Sequence, residues 1–226
     1  MKQVVPLECN PDVFGALAAR FGVEGVSFFD IFSLDPEMLG FYPRPVLAVL
    51  VVFPISEKYE KYRVAHDSTA QEYAGRGTDE DVAWFKQTIG NSCGTMAFLH
   101  AMNSVPRAQI TGPMAKILKD TADLSPQERV DYLENSTDFE DAHNSVAQRG
   151  DTVAPSSEDD IEFHYVCLTK SRSGKLVELD GRRKGPIYRA EHVADLLDAP
   201  AISVLQEFLD REGDGAFSMI AMCENE

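Results

Sequence analysis

Cys93 lies between a turn-forming run, Gly90-Asn91-Ser92, and a stretch with apolar residues at Met96, Phe98, Leu99 and Met102. The spacings from Phe98 and Leu99 to Met102 fit one face of a helix. Asn91 or Ser92 is placed to cap its start. The pattern therefore predicts a thiol at the first turn of a buried helix. A helix N-terminus carries partial positive charge and unpaired backbone N–H groups. Both favour the thiolate, which is the nucleophilic form. The same N–H groups can receive a developing oxyanion. Gln87, upstream of the turn, offers a neutral amide donor long enough to reach across it, and reads as a second oxyanion donor. A free Cys is ordinarily a small buried hydrophobe; the turn, the helix start and the Gln set this one apart.

A nucleophilic thiol needs a base, and the base needs a group that orients it. The histidines are His66, His100, His143, His164 and His192. His100 shares a helix with Cys93 but stands about 10 Å along its axis, too far for direct proton transfer. His66, His143 and His192 fall in charged helical segments and are expected to be solvated. His164 sits in an alternating stretch, Ile161 to Thr169, which reads as a strand. Ser171-Arg172-Ser173-Gly174 is a turn, and Lys175 to Leu179 a returning strand. A hairpin centred between Arg172 and Ser173 sets His164 nearly opposite Asp180. Cross-strand Cβ atoms stand roughly 4.5–5.5 Å apart. A carboxylate there accepts the imidazole N–H and fixes its tautomer. A slip of one residue would separate the two faces, and a surface His–Asp pair has the same spacing.

The elements that must position these groups form a mixed α/β chain. Asn10-Pro11-Asp12 opens a first helix, in which Phe14, Leu17 and Phe21 share a face. Asp35-Pro36 starts a short helix or turn. Val46 to Phe53 is apolar on both faces and β-branched, which marks a central strand. Ser56 to about Gln71 reads as a charged helix, and Ile110 to Leu118 as another. Ser125-Pro126-Gln127-Glu128 is a capping box. The single helix expected after it carries Val130, Leu133 and Phe139 and fades near Ala147. Residues 147–160, AQRGDTVAPSSEDD, have loop composition throughout. A loop of that length inside a compact domain is disordered or functional. Strands are expected at Pro186-Ile187-Tyr188 and from Ala216 to Met222, with one or two helices between Glu191 and Asp210 interrupted near Pro200.

With 226 residues, the chain suits a single domain, 1–226, burying roughly 70% of its unfolded surface. It has no apolar run near transmembrane length and no signal-peptide core. A cytoplasmic or nuclear location is expected. Cys9, Cys93, Cys167 and Cys223 are scattered, with no CxxC pair to suggest zinc. The net charge of −16 argues against nucleic acid and anionic membranes and favours a basic ligand, though acidity also serves solubility.

The string FKQTIGNSCGT resembles the active-site motif of the ubiquitin C-terminal hydrolase family. LECNPDVF, FFDIFSLDPEMLGFYPRPVLAVLVVFP, IEFHYVCLTK and LVELDGRRKGP resemble further family segments in the usual order, so the likeness covers nearly the whole chain. It implies a papain-like α/β fold, with a central antiparallel sheet flanked by helices and a knotted backbone. It implies Cys93 as nucleophile, His164 as general base and acid, Asp180 as its orienter and Gln87 as oxyanion donor. It also implies a crossover loop at 147–160 above the active site. The expected activity is thiol hydrolysis of small adducts or short peptides from the C-terminal Gly of ubiquitin, through a thioester. The expected partner is ubiquitin, whose basic tail gives the acidity a use and which Glu8 could contact. No cofactor or metal is expected, and the chain is expected to act as a monomer. The alternatives are a ubiquitin-binding module with weak or lost catalysis, a hydrolase of a ubiquitin-like modifier, or another thiol acyl-transfer enzyme, such as a glutaminase or an ordinary peptidase.

Overall fold

The structure is a computed structural model that describes residues 2–77, 79–157, 162–212 and 217–225. Its centre is a six-stranded antiparallel sheet of order β1-β6-β2-β3-β4-β5. The strands are β1 (Val26–Asp30), β2 (Val46–Pro54), β3 (Phe163–Lys170), β4 (Leu176–Leu179), β5 (Ile187–Ala190) and β6 (Ser218–Glu224). The run expected to be a central strand is β2, paired on both sides and buried from Val46 to Phe53. Its alternate side chains feed two cores. Ala48, Leu50 and Val52 face one, and Val49, Val51 and Phe53 the other.

The first core packs α1 (Pro11–Phe21), α4 (Cys93–Ala101), α5 (Gly112–Thr121), α6 (Pro126–Glu134) and α7 (Thr137–Asn144) onto the sheet. The second packs α3 (Glu57–Thr69) and α8 (Ala199–Glu212) onto the opposite face. The short α2 (Pro36–Leu39) bridges β1 and β2. Every residue of α4 is buried, so the helix runs through the core rather than along a surface.

Local chemistry explains the boundaries. Asn10 and Asp35 cap α1 and α2 through their side chains, each with Pro in the first turn. The capping box at Ser125 forms, with Glu128 returning a bond to the Ser125 backbone. Two expectations need correction. The helix after Ser125 is not continuous: it stops at Asn135, and Ser136 caps α7 by accepting the Phe139 N–H. A Ser that satisfies the first N–H groups of a new helix competes with continuation of the old one. Pro200 does not interrupt a helix either. It lies at the second position of α8, where the missing N–H costs nothing, and residues 191–198 are irregular.

Candidate active site

Cys93 is the first residue of α4. The expected caps do not form. Asn91 adopts a left-handed conformation, φ 61°, and donates through Nδ2 to Ser157 O. The Ser92 hydroxyl turns back to donate to Ile89 O at 2.8 Å. Among the described residues no capping side chain takes the N–H groups at the head of α4, which leaves them open to an incoming anion. Gly94 keeps the wall beside Cys93 thin: a Cβ there would stand 3.2 Å from Leu7 Cβ.

His164 and Asp180 meet. His164 Nε2 lies 2.7 Å from Asp180 Oδ1, with both side chains almost fully buried. The register that joins them differs from the expected one. β3 pairs Cys167 with Leu179, which sets Asp180 level with Val166. Asp180 is thus a diagonal neighbour of His164, two residues along the same face, not its direct opposite. Even parity preserved the shared face, and the side chains span the diagonal.

Asp180 is held on every side. Its Oδ2 accepts from the Tyr59 hydroxyl at 2.7 Å, its Oδ1 from the Arg182 N–H at 2.8 Å, and its carbonyl from Trp84 Nε1 at 3.1 Å. Burial alone would raise its pKa, but the His164 charge and bond and the Arg182 and Tyr59 donors hold the carboxyl well below its usual range. Burial likewise opposes charge on His164. The Asp180 charge, the bond to Asp180 and a hydrogen bond with Cys93 outweigh it and push the imidazole up to about 9. With Nε2 on the carboxylate, Nδ1 is the nitrogen left to exchange a proton with the thiol. Phe53 and Tyr59 flank the ring and fix its plane.

Gln87 is tied to the same corner through its backbone. Its N–H donates to Gly181 O at 2.9 Å. Its Nε2 reaches Ile89 O at a long 3.4 Å, and its Oε1 is buried without a partner among the described residues. A lightly held amide is free to turn its N–H toward a new acceptor. Gly181 makes the approach possible, since a Cβ there would lie 2.7 Å from Gln87 Cβ and 2.9 Å from Gln87 N. Gly181→Ala is therefore expected to cost about 1–3 kcal/mol of stability and to lower turnover by displacing Gln87. Urea unfolding and steady-state rates measure both, and wild-type values would contradict this account of the corner.

A cleft of about 570 Å³ opens onto Cys93. Its walls include Pro6, Leu7, Glu8 and Cys9 from the N-terminal segment, Tyr165 from β3, and Gly150, Thr152 and Pro155 from the loop. The described part of that loop is anchored. Glu8 accepts from the N–H groups of Asp151 and Thr152 at 3.1 and 2.9 Å and from the Thr152 hydroxyl. Asn10 Nδ2 donates to Asp151 Oδ2. Residues 158–160 of the expected crossover loop lie outside the described residues. Glu8, expected to face a basic ligand, spends its carboxylate on the loop. Despite partial desolvation, those bonds hold its pKa down at about 2.

The other thiols are free. Burial pushes Cys9 up to about 12, which keeps it protonated at neutral pH. His100 is buried and bonds Phe85 through Nε2, and burial lowers its pKa to about 4. His143, expected to be solvated, is fully buried. Sequence reasoning also missed Tyr59 and Trp84, which reach Asp180 from 121 and 96 residues away and leave no local signal. The Gly after Asp180 was the one available hint of a close approach.

Comparison with known proteins gives this geometry a family. The family described as "Ubiquitin carboxyl-terminal hydrolase, family 1" matches residues 4–210. "Ubiquitin carboxyl-terminal hydrolase 3" of Arabidopsis thaliana is 35% identical, covering 98% of this chain and 94% of the relative. "Ubiquitin carboxyl-terminal hydrolase isozyme L1" of Homo sapiens is 34% identical, covering 98% and 99%. The catalytic domain of Trichinella spiralis UCH37, solved bound to ubiquitin vinyl methyl ester, superposes with a TM-score of 0.74 at 22% identity, covering 98% of this chain and 95% of that one. The last likeness carries the fold, which is papain-like; the first three carry the lineage. The chain belongs to the ubiquitin carboxyl-terminal hydrolase family 1.

Proposed function

We propose that this chain is a deubiquitinating cysteine hydrolase that cleaves adducts from the C-terminal Gly of ubiquitin. The observation that carries the reading is the buried His164–Asp180 pair, with Cys93 at a helix start close enough to help raise the imidazole pKa, within a chain of this family. In this reading the Cys93 thiolate attacks the carbonyl of that Gly. The Cys93 N–H and the Gln87 amide stabilise the tetrahedral oxyanion. The His164 imidazolium gives its proton to the leaving amine or thiol, and a thioester remains. Neutral His164 then takes a proton from water, whose oxygen attacks the thioester. Ubiquitin leaves with a free carboxylate, and the ion pair is restored. Asp180 holds the imidazole in one tautomer throughout and stabilises its charge.

A ubiquitin carrying a C-terminal vinyl methyl ester tests the reading. It is expected to add to Cys93, with the mass of one probe mapped to that residue and lost in Cys93→Ala. Labelling at Cys9, or no labelling, would contradict it.

The pinned loop is read as a size filter for leaving groups. Val153 is 97% exposed and is a tolerant insertion point. Inserting a Gly/Ser run there is expected to raise kcat/KM for ubiquitin fused to folded domains relative to ubiquitin fused to short peptides. An unchanged ratio would remove the filter from the account.

A further inference from the structure

His143 on α7 is a buried titratable group that the reaction does not use. Its ring is fully buried, and both nitrogens are engaged. Nε2 lies 2.7 Å from Val5 O and Nδ1 lies 2.6 Å from Thr95 Oγ1. A carbonyl can only accept, so Nε2 carries the ring proton and donates. Nδ1 is then bare and accepts from the Thr95 hydroxyl. Burial keeps the ring's pKa below its ordinary value, which suits this neutral tautomer.

The two partners are not incidental. Thr95 stands two residues beyond Cys93 on α4. Val5 begins the segment whose residues Pro6, Leu7, Glu8 and Cys9 line the cleft. The far side of that segment is tied by Leu7 O, which accepts from the Tyr165 hydroxyl at 3.0 Å; Tyr165 follows His164. Leu7 rests against Gly94, and Glu8 carries the loop. A shift of Val5 away from α4 would therefore move one wall of the cleft and the loop's anchor together.

We propose that His143 is a positioning residue for the ubiquitin tail: its paired bonds to Thr95 and Val5 fix residues 5–9 against the nucleophile helix and so set the wall of the binding cleft. The inference rests on the hydrolase reading above. Thr95→Val removes one bond at nearly constant shape. His143→Leu removes both, and His143→Gln keeps one donor and one acceptor. Two readouts are taken on the full chain: hydrogen exchange of a peptide covering residues 5–9, and KM and kcat for a fluorogenic ubiquitin C-terminal amide. Thr95→Val and His143→Leu are expected to speed exchange at 5–9 but not in β2. They should raise KM roughly tenfold with kcat within about twofold, as loss of ground-state positioning does. His143→Gln should recover most of the effect. Unchanged exchange at 5–9 would overturn the inference whether or not the enzyme turns over. So would faster exchange without a rise in KM, or a kcat loss alone, which would make the residue part of general stability. Absence of turnover in wild type with normal exchange shifts in the variants would instead strike the hydrolase reading and leave the anchoring role standing.

Discussion

His164→Ala is expected to lower kcat for a fluorogenic ubiquitin C-terminal amide by on the order of 10⁴–10⁶, with the chain still folded. The size follows from what the imidazole does in both halves of the reaction. In the proposed mechanism it delivers a proton to the leaving amine and later takes one from water. No neighbour can substitute. His100 is bound to the Phe85 backbone and has its pKa lowered to about 4, and His143 is locked between Val5 and Thr95. A loss of tenfold or less would mean that another group moves the proton. Circular dichroism on the same preparation separates this from unfolding, since removing the ring leaves Asp180 buried with its Tyr59 and Arg182 bonds intact.

Asp180→Asn is the second large effect, expected at about 10³–10⁴ in kcat. An amide of the same shape cannot stabilise an imidazolium, and its NH₂ can meet Nε2 only if that nitrogen gives up its proton. The tautomer then reverses, and the Nδ1 that faces the thiol carries a proton and cannot accept one. The pH profile supplies the sign. His164 is held up at about 9, chiefly by the charge of Asp180 working against burial. If the active form is the thiolate–imidazolium pair, the alkaline limb of kcat/KM reports loss of the His164 proton. That limb is expected near pH 9 in wild type and at lower pH in Asp180→Asn. A limb that stays in place, or rises, would show that the carboxylate does not set the charge of the ring. The same linkage acts on stability. The His164 contribution is complete below its unfolded pKa of about 6.5 and is lost as pH rises through about 9.

Much of the architecture was legible in the residues. An unbroken β-branched apolar run can only be buried on both faces, and Val46 to Phe53 became the paired strand that divides the two cores. Pro-led starts and the Ser125 capping box announced their helices because the interactions that define them are local. What escaped was set by competition or by distance. Ser136 could have continued a helix or capped a new one, and tertiary packing of Phe139 decided it. Asn91 and Ser92 have capping side chains, yet a left-handed turn diverts one to Ser157 and the other to Ile89. The expected hairpin brought His164 near Asp180, but the turn geometry sets Asp180 opposite Val166, so the two meet diagonally on one face. His143 sits in a charged stretch, Thr137–Asn144, and reads as solvated until α7 turns that one side into the core. The partners that hold Asp180 and build the cleft come from α3, the N-terminal segment and the 150–155 loop, which only the fold brings together.

The most direct test of the central claim is hydrolysis of a fluorogenic ubiquitin C-terminal amide by wild type and by Cys93→Ala at equal concentration. The account predicts steady turnover by wild type and none above background for Cys93→Ala, with ubiquitin still bound by the variant. Turnover that survives the substitution would contradict Cys93 as the nucleophile, and no turnover by wild type would contradict the hydrolase itself.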